Sequence, residues 1–218
     1  MLSFFKRPDS LEDIEASIIE MLDEVGTIFD TACEAAFGGG RSSATRSEVR
    51  SADDRVEEIR RDVIRRLTIH ASVAAPDDLS DTFTYLLVTR DAERASDYAK
   101  NIYDLAKYEL DLSTMADAAA MASDRDTVAS LIDAATNAFR SGDPDVARAV
   151  VRDAVAAEDR FDGQVRAAAT GSLEAHEAVA KALFYRYLKR LSAHLAALAS
   201  SAYASLDRID DQTDESPE

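Results

Sequence analysis

A chain of 218 residues with 46% hydrophobic content can bury one larger core or two small ones that share a boundary. Its formal net charge of −17 excludes direct binding to a nucleic-acid backbone, because any cationic contact works against the repulsion of the whole molecule. Seven Gly, four Pro and no Trp, among long stretches rich in Ala, Asp and Arg, exclude sandwiches and barrels and point to an all-α chain.

The opening Met1 to Asp9 reads as a lead-in whose Phe4 and Phe5 pack on the first helix; with Lys6 and Arg7 they form too small a patch to anchor the chain on a membrane. Ser10 is the expected cap of the first helix, with Glu12 and Asp13 in its first turn. Ile14, Ile18, Leu22, Val25 and Phe29 continue it to about residue 37, where Gly38-Gly39-Gly40 ends it. Val49, Val56, Val63, Leu67 and Ala74 mark a second long helix, stopped by Ala75-Pro76. Asp77-Asp78 caps a third, expected over Leu79 to Leu110.

The second half begins at a softer break carrying Asp111, Ser113, Asp117, Asp124 and Asp126. A fourth helix follows to about Phe139, its start placed no earlier than Thr114, and Ser141-Gly142-Asp143-Pro144 is the clearest turn. The fifth spans about Asp145 to Ala169, Thr170-Gly171-Ser172 breaks it, and the sixth runs from near Leu173 to about Arg208. Residues 209–218 read as an acidic, disordered tail with little to bury.

Three long helices therefore occur twice, and the halves align by residue type. Ala52-Asp53-Asp54-Arg55-Val56-Glu57 matches Ala157-Glu158-Asp159-Arg160-Phe161-Asp162, and Arg90/Arg94 matches Arg186/Arg190. The expected architecture is two tandem antiparallel three-helix bundles, residues 10–112 and 113–208.

The third helix offers two apolar faces: Leu79, Phe83 and Leu86, or Val88, Ala92, Ala95, Ala99, Ile102 and Ala106. The second set aligns with Phe184, Leu188, Leu191, Leu195, Leu198 and Ala202, is apolar in both halves, and is therefore the core stripe. Glu93 and Asp97 then share the side of helix 3 that points away from the core, and Asp53 and Glu57, at the same i, i+4 spacing, lie outward or at a seam on helix 2. Such pairs are either solvated charges or oxygen ligands for a hard cation such as Mg²⁺, Mn²⁺ or iron.

Asp outnumbers Glu by 27 to 15 and Arg outnumbers Lys by 20 to 5, a bias expected of a salt-adapted, halophilic cytoplasm where concentrated ions screen self-repulsion. A lone Cys33 cannot form an internal disulfide, which favours a reducing compartment. No apolar run reaches the roughly 18 to 20 residues of a membrane span; Leu195 to Leu206 comes nearest and is rich in Ala and Ser. His70, His176 and His194 lie on three different helices without a metal-binding spacing, and His70 and His194 fall near core stripes, where a structural role is expected. Gly38-Gly39-Gly40 lacks the Lys and Ser/Thr of a phosphate loop, and no catalytic or cofactor-binding motif is visible.

Thr89 to Ile102, with its Glu93-Arg94-Ala95-Ser96-Asp97 centre and its Asn101-Ile102 pair, resembles the signature helix of PhoU proteins, and Ala52-Asp53 through Glu57-Glu58 resembles the partner motif. The resemblance covers about residues 10 to 208 as two tandem repeats. It implies paired three-helix bundles whose surface carboxylates bind metal ions (Mg, Mn, Fe or Zn), here through Asp53, Glu57, Glu93 and Asp97. It further implies a cytoplasmic, non-enzymatic regulator of phosphate uptake that contacts the ATP-binding subunit of a phosphate ABC transporter, a sensor kinase, or both. Homodimerisation and membrane association through such partners are compatible with it.

In the second repeat Glu158 and Asp162 keep the helix 2 pair, but Lys189 and Ala193 replace the helix 3 acids, so that site is expected to be weak or empty, with Lys189 neutralising Glu158 or Asp162. The competing readings are a metal-binding accessory subunit of a secondary phosphate transporter and a carboxylate-bundle metalloenzyme. The latter would need Glu-x-x-His motifs facing the bundle core, and none is present.

Overall fold

The computed structural model describes residues 11–39, 43–73 and 79–203. Its long helices are α1 (Leu11–Glu34), α2 (Ser43–Val73), α3 (Leu79–Lys107), α4 (Ala118–Ser141), α5 (Pro144–Thr170) and α6 (Ala175–Ser200), and no strand occurs among the described residues. The expected lead-in, the Ser10 cap, the Asp77-Asp78 cap and the acidic tail lie outside the described residues.

α1 buries Ile14, Ile18, Met21, Leu22, Val25, Ile28, Phe29 and Ala32. The 3 and 4 residue spacing makes one continuous stripe for α2 and α3 to cover. After Glu34 the chain leaves helical geometry within Ala35–Gly39, kinking at Phe37 (φ −98°, ψ 36°) and at Gly38, which takes φ +95°. A Cβ at Gly38 would also stand 3.0 Å from Ser113 Oγ, so the position favours glycine on both backbone and packing grounds.

The third helix stops at Lys107, three residues short of the expected Leu110. Its end is a left-handed cap: Glu109 takes φ 61°, its N–H donates to Ala106 O and that of Leu110 donates to Leu105 O, both at 3.1 Å. Leu110 thereby folds back onto the core, a closure available to a non-glycine residue at modest strain. Asp111 then caps a short 3₁₀ turn, Leu112–Thr114, by accepting from Ser113 N–H at 2.9 Å.

α4 starts at Ala118, so Asp124 and Asp126, expected in a break, lie inside the helix. The turn at Ser141 to Pro144 forms as expected. Gly142 takes φ 60°, and the Asp143 carboxylate accepts from the N–H groups of Asp145 (2.8 Å) and Val146 (3.4 Å), with Pro144 opening α5. α6 begins at Ala175 and ends at Ser200, followed by a turn to Tyr203; the remainder of the expected sixth helix lies outside the described residues.

α1, α2 and α3 pack on one another, as do α4, α5 and α6, and the two sets join through α3 against α6 and α1 against α4. The aligned arginines do equivalent work in each set. Arg55 on α2 makes a two-pronged contact with Glu24 on α1 at 2.6 Å, and Arg160 on α5 reaches Asp124 on α4 at 2.8 Å. α6 is the most enclosed helix: Leu191 to Ser200 is buried on every side. Its Ala-Leu composition serves a central helix that neighbours approach closely, and no described helix is long and apolar enough to cross a membrane.

The choice between the two faces of α3 is confirmed. Val88, Ala92, Ala95, Ala99, Ile102 and Ala106 are buried, whereas Phe83 is 53% and Leu86 40% exposed. Cys33 is a core residue, its thiol pushed well above the ordinary range by burial.

Candidate functional site at the seam of helices 2 and 3

α2 and α3 run antiparallel, which brings Asp53 opposite Lys100 and Arg60 opposite Glu93. The motif acids thus lie along a solvent-facing seam, as their spacing indicated. The Lys100 ammonium donates to both oxygens of Asp53, at 2.8 and 3.0 Å, and lies 3.4 Å from Asp97 Oδ1 on its own helix. Burial works against its charge, but the hydrogen bond and charge of Asp53, helped by Asp97, more than offset this and hold its pKa above the ordinary lysine value.

The other acids are also matched by cations. Arg94 lies 3.5 Å from Asp97 and 3.8 Å from Glu93, and Arg60 stands 4.0 Å from Glu93. Glu57 points along its own helix to Arg61, at 3.5 Å, and is 60% exposed. The structure therefore unites Asp53 and Asp97 around one ammonium, sets Glu93 beside them under two arginines, and leaves Glu57 to one side.

As folded, these residues do not fit the metal ion that the resemblance implies. Among the described residues no group of three or more His, Cys, Asp or Glu side chains is gathered to hold one. Lys100, Arg60, Arg61 and Arg94 supply one positive charge for each of the four carboxylates, which removes the mutual repulsion that would draw a divalent cation in.

The corresponding seam of the second half lies between α5 and α6. Lys189 Nζ donates to Asp162 Oδ1 at 2.6 Å, as its position suggested, and Arg166 adds a contact at 3.3 Å. The Asp162 carboxyl is held below its ordinary pKa, first by the Lys189 hydrogen bond. Glu158 behaves in the opposite way: burial pushes its pKa up to about 7 against the opposing charges of Lys189 and Arg190.

Sequence reasoning missed two polar networks further inside. Asp91, part of the signature segment, is wholly buried, with Oδ1 3.1 Å from His194 Nδ1 on α6. Tyr98 stacks on the His194 ring with centroids 5.7 Å apart, and the Arg190 guanidinium lies over Tyr98. In the second network the hydroxyl of buried Tyr185 donates to Asp124 Oδ2 at 3.0 Å while Arg160 holds the other oxygen. By sequence Asp124 is expected in a break and Asp91 has no assigned role, so neither pairing is found. The available signal was the register of Asp91, one residue before core Ala92.

The family model for the PhoU domain matches residues 18–106, which takes in most of α1, all of α2 and nearly all of α3. No curated protein matches the sequence. Among solved structures, the crystal structure of PhoU from Pseudomonas aeruginosa superposes with a TM-score of 0.74 at 20% identity, over 88% of this chain and 94% of that one. Residues 18–106 thus match the PhoU domain model, and the all-helical fold over most of the chain is similar to that of the Pseudomonas aeruginosa protein.

Proposed function

We propose that this protein is a regulator of phosphate uptake that acts by contact with other proteins and catalyses no reaction. The observation that carries this reading is the match of the PhoU domain model to residues 18–106, together with a fold similar to that of PhoU from Pseudomonas aeruginosa over 88% of the chain. The placement of the groups best able to carry chemistry supports it: the Cys33 thiol is a core residue with a raised pKa, and His194 is enclosed between Asp91 and Tyr98.

The partner we propose is the ATP-binding subunit of a phosphate ABC transporter, a sensor kinase, or both, which places the protein in the cytoplasm. Exposed Ile69, Val73, Phe83 and Leu86, near the end of α2 and the start of α3, supply apolar side chains for such contacts.

Affinity capture with the full chain from its own cells, in high and low phosphate, tests the reading. Recovery of a phosphate-transporter ATPase or a sensor kinase, together with loss of phosphate control of uptake in a deletion strain, is the expected result. Recovery of a secondary phosphate permease would move the protein to an accessory-subunit role. Normal phosphate control in the deletion strain would overturn the regulatory reading.

A further inference from the structure

We infer that Lys100 is the resident cation of the α2–α3 seam, standing where the resembled pattern would place a metal ion, and that its ammonium keeps divalent metal out of the first repeat. The inference concerns the site itself and rests on the regulatory reading only for the expectation that a metal belongs there.

Three observations carry it. The first is geometric: one ammonium reaches both oxygens of Asp53 on α2, at 2.8 and 3.0 Å, and Asp97 on α3, at 3.4 Å. A single cation thus ties the two helices through the carboxylates a metal would have to use. The pair is shielded, with Lys100 33% and Asp53 18% exposed, so it is less weakened by solvent than a surface pair.

The second is charge. Arg60, Arg61 and Arg94 match the remaining carboxylate charge of Glu57, Glu93 and Asp97. An incoming divalent ion meets a neutral seam and must strip water from itself while displacing an ammonium already in place. A variant without the Lys100 charge leaves Asp53 and Asp97 one positive charge short, and the attraction for a cation returns.

The third is recurrence at a position that is not equivalent. Lys189 aligns with Glu93, whereas Lys100 aligns with Ala196. The two lysines occupy different places in the repeat, yet each delivers its ammonium from the third helix of its unit to an acid on the second: Lys100 to Asp53, Lys189 to Asp162. Each seam has a cation of its own, supplied from a different position of the repeat.

The test is calorimetric titration of the full chain with Mn²⁺ after exhaustive EDTA dialysis, comparing the parent, Lys100→Met, Lys100→Arg and the double variant Lys100→Met, Asp53→Asn. Lys100→Met should bind Mn²⁺ at least about tenfold more tightly than the parent, since a charge pair is replaced by an unpaired carboxylate pair. Lys100→Arg should behave as the parent, and Asp53→Asn should remove the gain.

Circular dichroism checks that each variant is helical. Should Lys100→Met fail to fold, Lys100→Gln gives the same readout with a polar side chain. Parent protein that binds Mn²⁺ as tightly as Lys100→Met overturns the inference, and so does a Lys100→Met that gains nothing. Either result leaves the capture and deletion experiments standing, whereas normal phosphate control in the deletion strain with an intact tenfold gain rejects the regulatory reading and keeps the seam.

Discussion

Asp91 on α3 and His194 on α6 meet at 3.1 Å in the buried contact between the two three-helix units. The pair is enclosed: Asp91 has no exposed surface and His194 5%. Arg90 reaches the bonded Asp91 oxygen from the rim at 3.3 Å, while Asp91 Oδ2 and His194 Nε2 have no hydrogen-bond partner among the described residues. A polar pair so placed fixes the register of one unit against the other, because sliding α6 along α3 would strand a carboxylate and a ring nitrogen in the core.

Breaking this pair should therefore be costly. His194→Ala is expected to lower stability by about 2 to 4 kcal/mol, combining a lost partner with a cavity beside Tyr98. Asp91→Asn together with His194→Ala should cost less than the two changes added separately. Urea midpoints of the four proteins measure the coupling; strict additivity would show that the residues do not act as a pair.

Glu158 should make stability depend on pH. Its folded pKa is raised to about 7 from an ordinary 4.5, so between those values the folded state holds a proton that the unfolded state has released. Stability from this group is highest below that window and falls as pH rises through it. Glu158→Gln, which cannot ionise, should flatten this part of the profile and raise stability at pH 8 by about 1 kcal/mol, after allowance for the half-exposed setting. Denaturant midpoints of parent and variant at pH 5 and pH 8 decide it; an equal pH response in both would place the titration elsewhere.

Tyr185→Phe should cost about 1 to 2 kcal/mol, because the Asp124 oxygen that accepts from the Tyr185 hydroxyl loses its donor while the ring still fills its place. Burial and the charge of Asp124 hold the Tyr185 hydroxyl well above the ordinary tyrosine pKa, so it serves as donor throughout the working range. A thermal shift indistinguishable from the parent would mean that Arg160 alone satisfies Asp124.

The two faces of α3 should respond oppositely to change. Ile102→Ala, on the buried stripe, is expected to destabilise by about 2 to 4 kcal/mol, whereas Phe83→Ser, on the exposed start of the helix, should stay within about 0.5 kcal/mol. If Phe83 belongs to the partner surface, the serine variant folds normally and loses capture of the transporter subunit or kinase. Unchanged capture by Phe83→Ser would remove that face from the contact.

Much of the fold was legible from spacing. The buried stripe of α1, the stripe of α3 from Val88 to Ala106 and the turn built on Gly142, Asp143 and Pro144 follow from local rules, because helix period, capping and left-handed glycine act within a few residues. Element ends were less so. The stop at Lys107 depends on Leu110 finding the core, which is a tertiary contact rather than a local preference.

What the sequence determined by itself is the helical class, the alternation of buried and exposed faces, the echo of Arg55 in Arg160, and the places along the chain where Asp53, Glu57, Glu93 and Asp97 occur, since all of these follow from residue type and period. Only the tertiary structure decided which charges meet: that Lys100 crosses to Asp53, that Lys189 answers Asp162, and that Asp91 and Asp124 turn inward to His194 and Tyr185. The reason is physical. A helix period fixes the direction in which a side chain leaves its own axis, but partners on another helix are set by the register and crossing of the two, which depend on packing along their whole shared length.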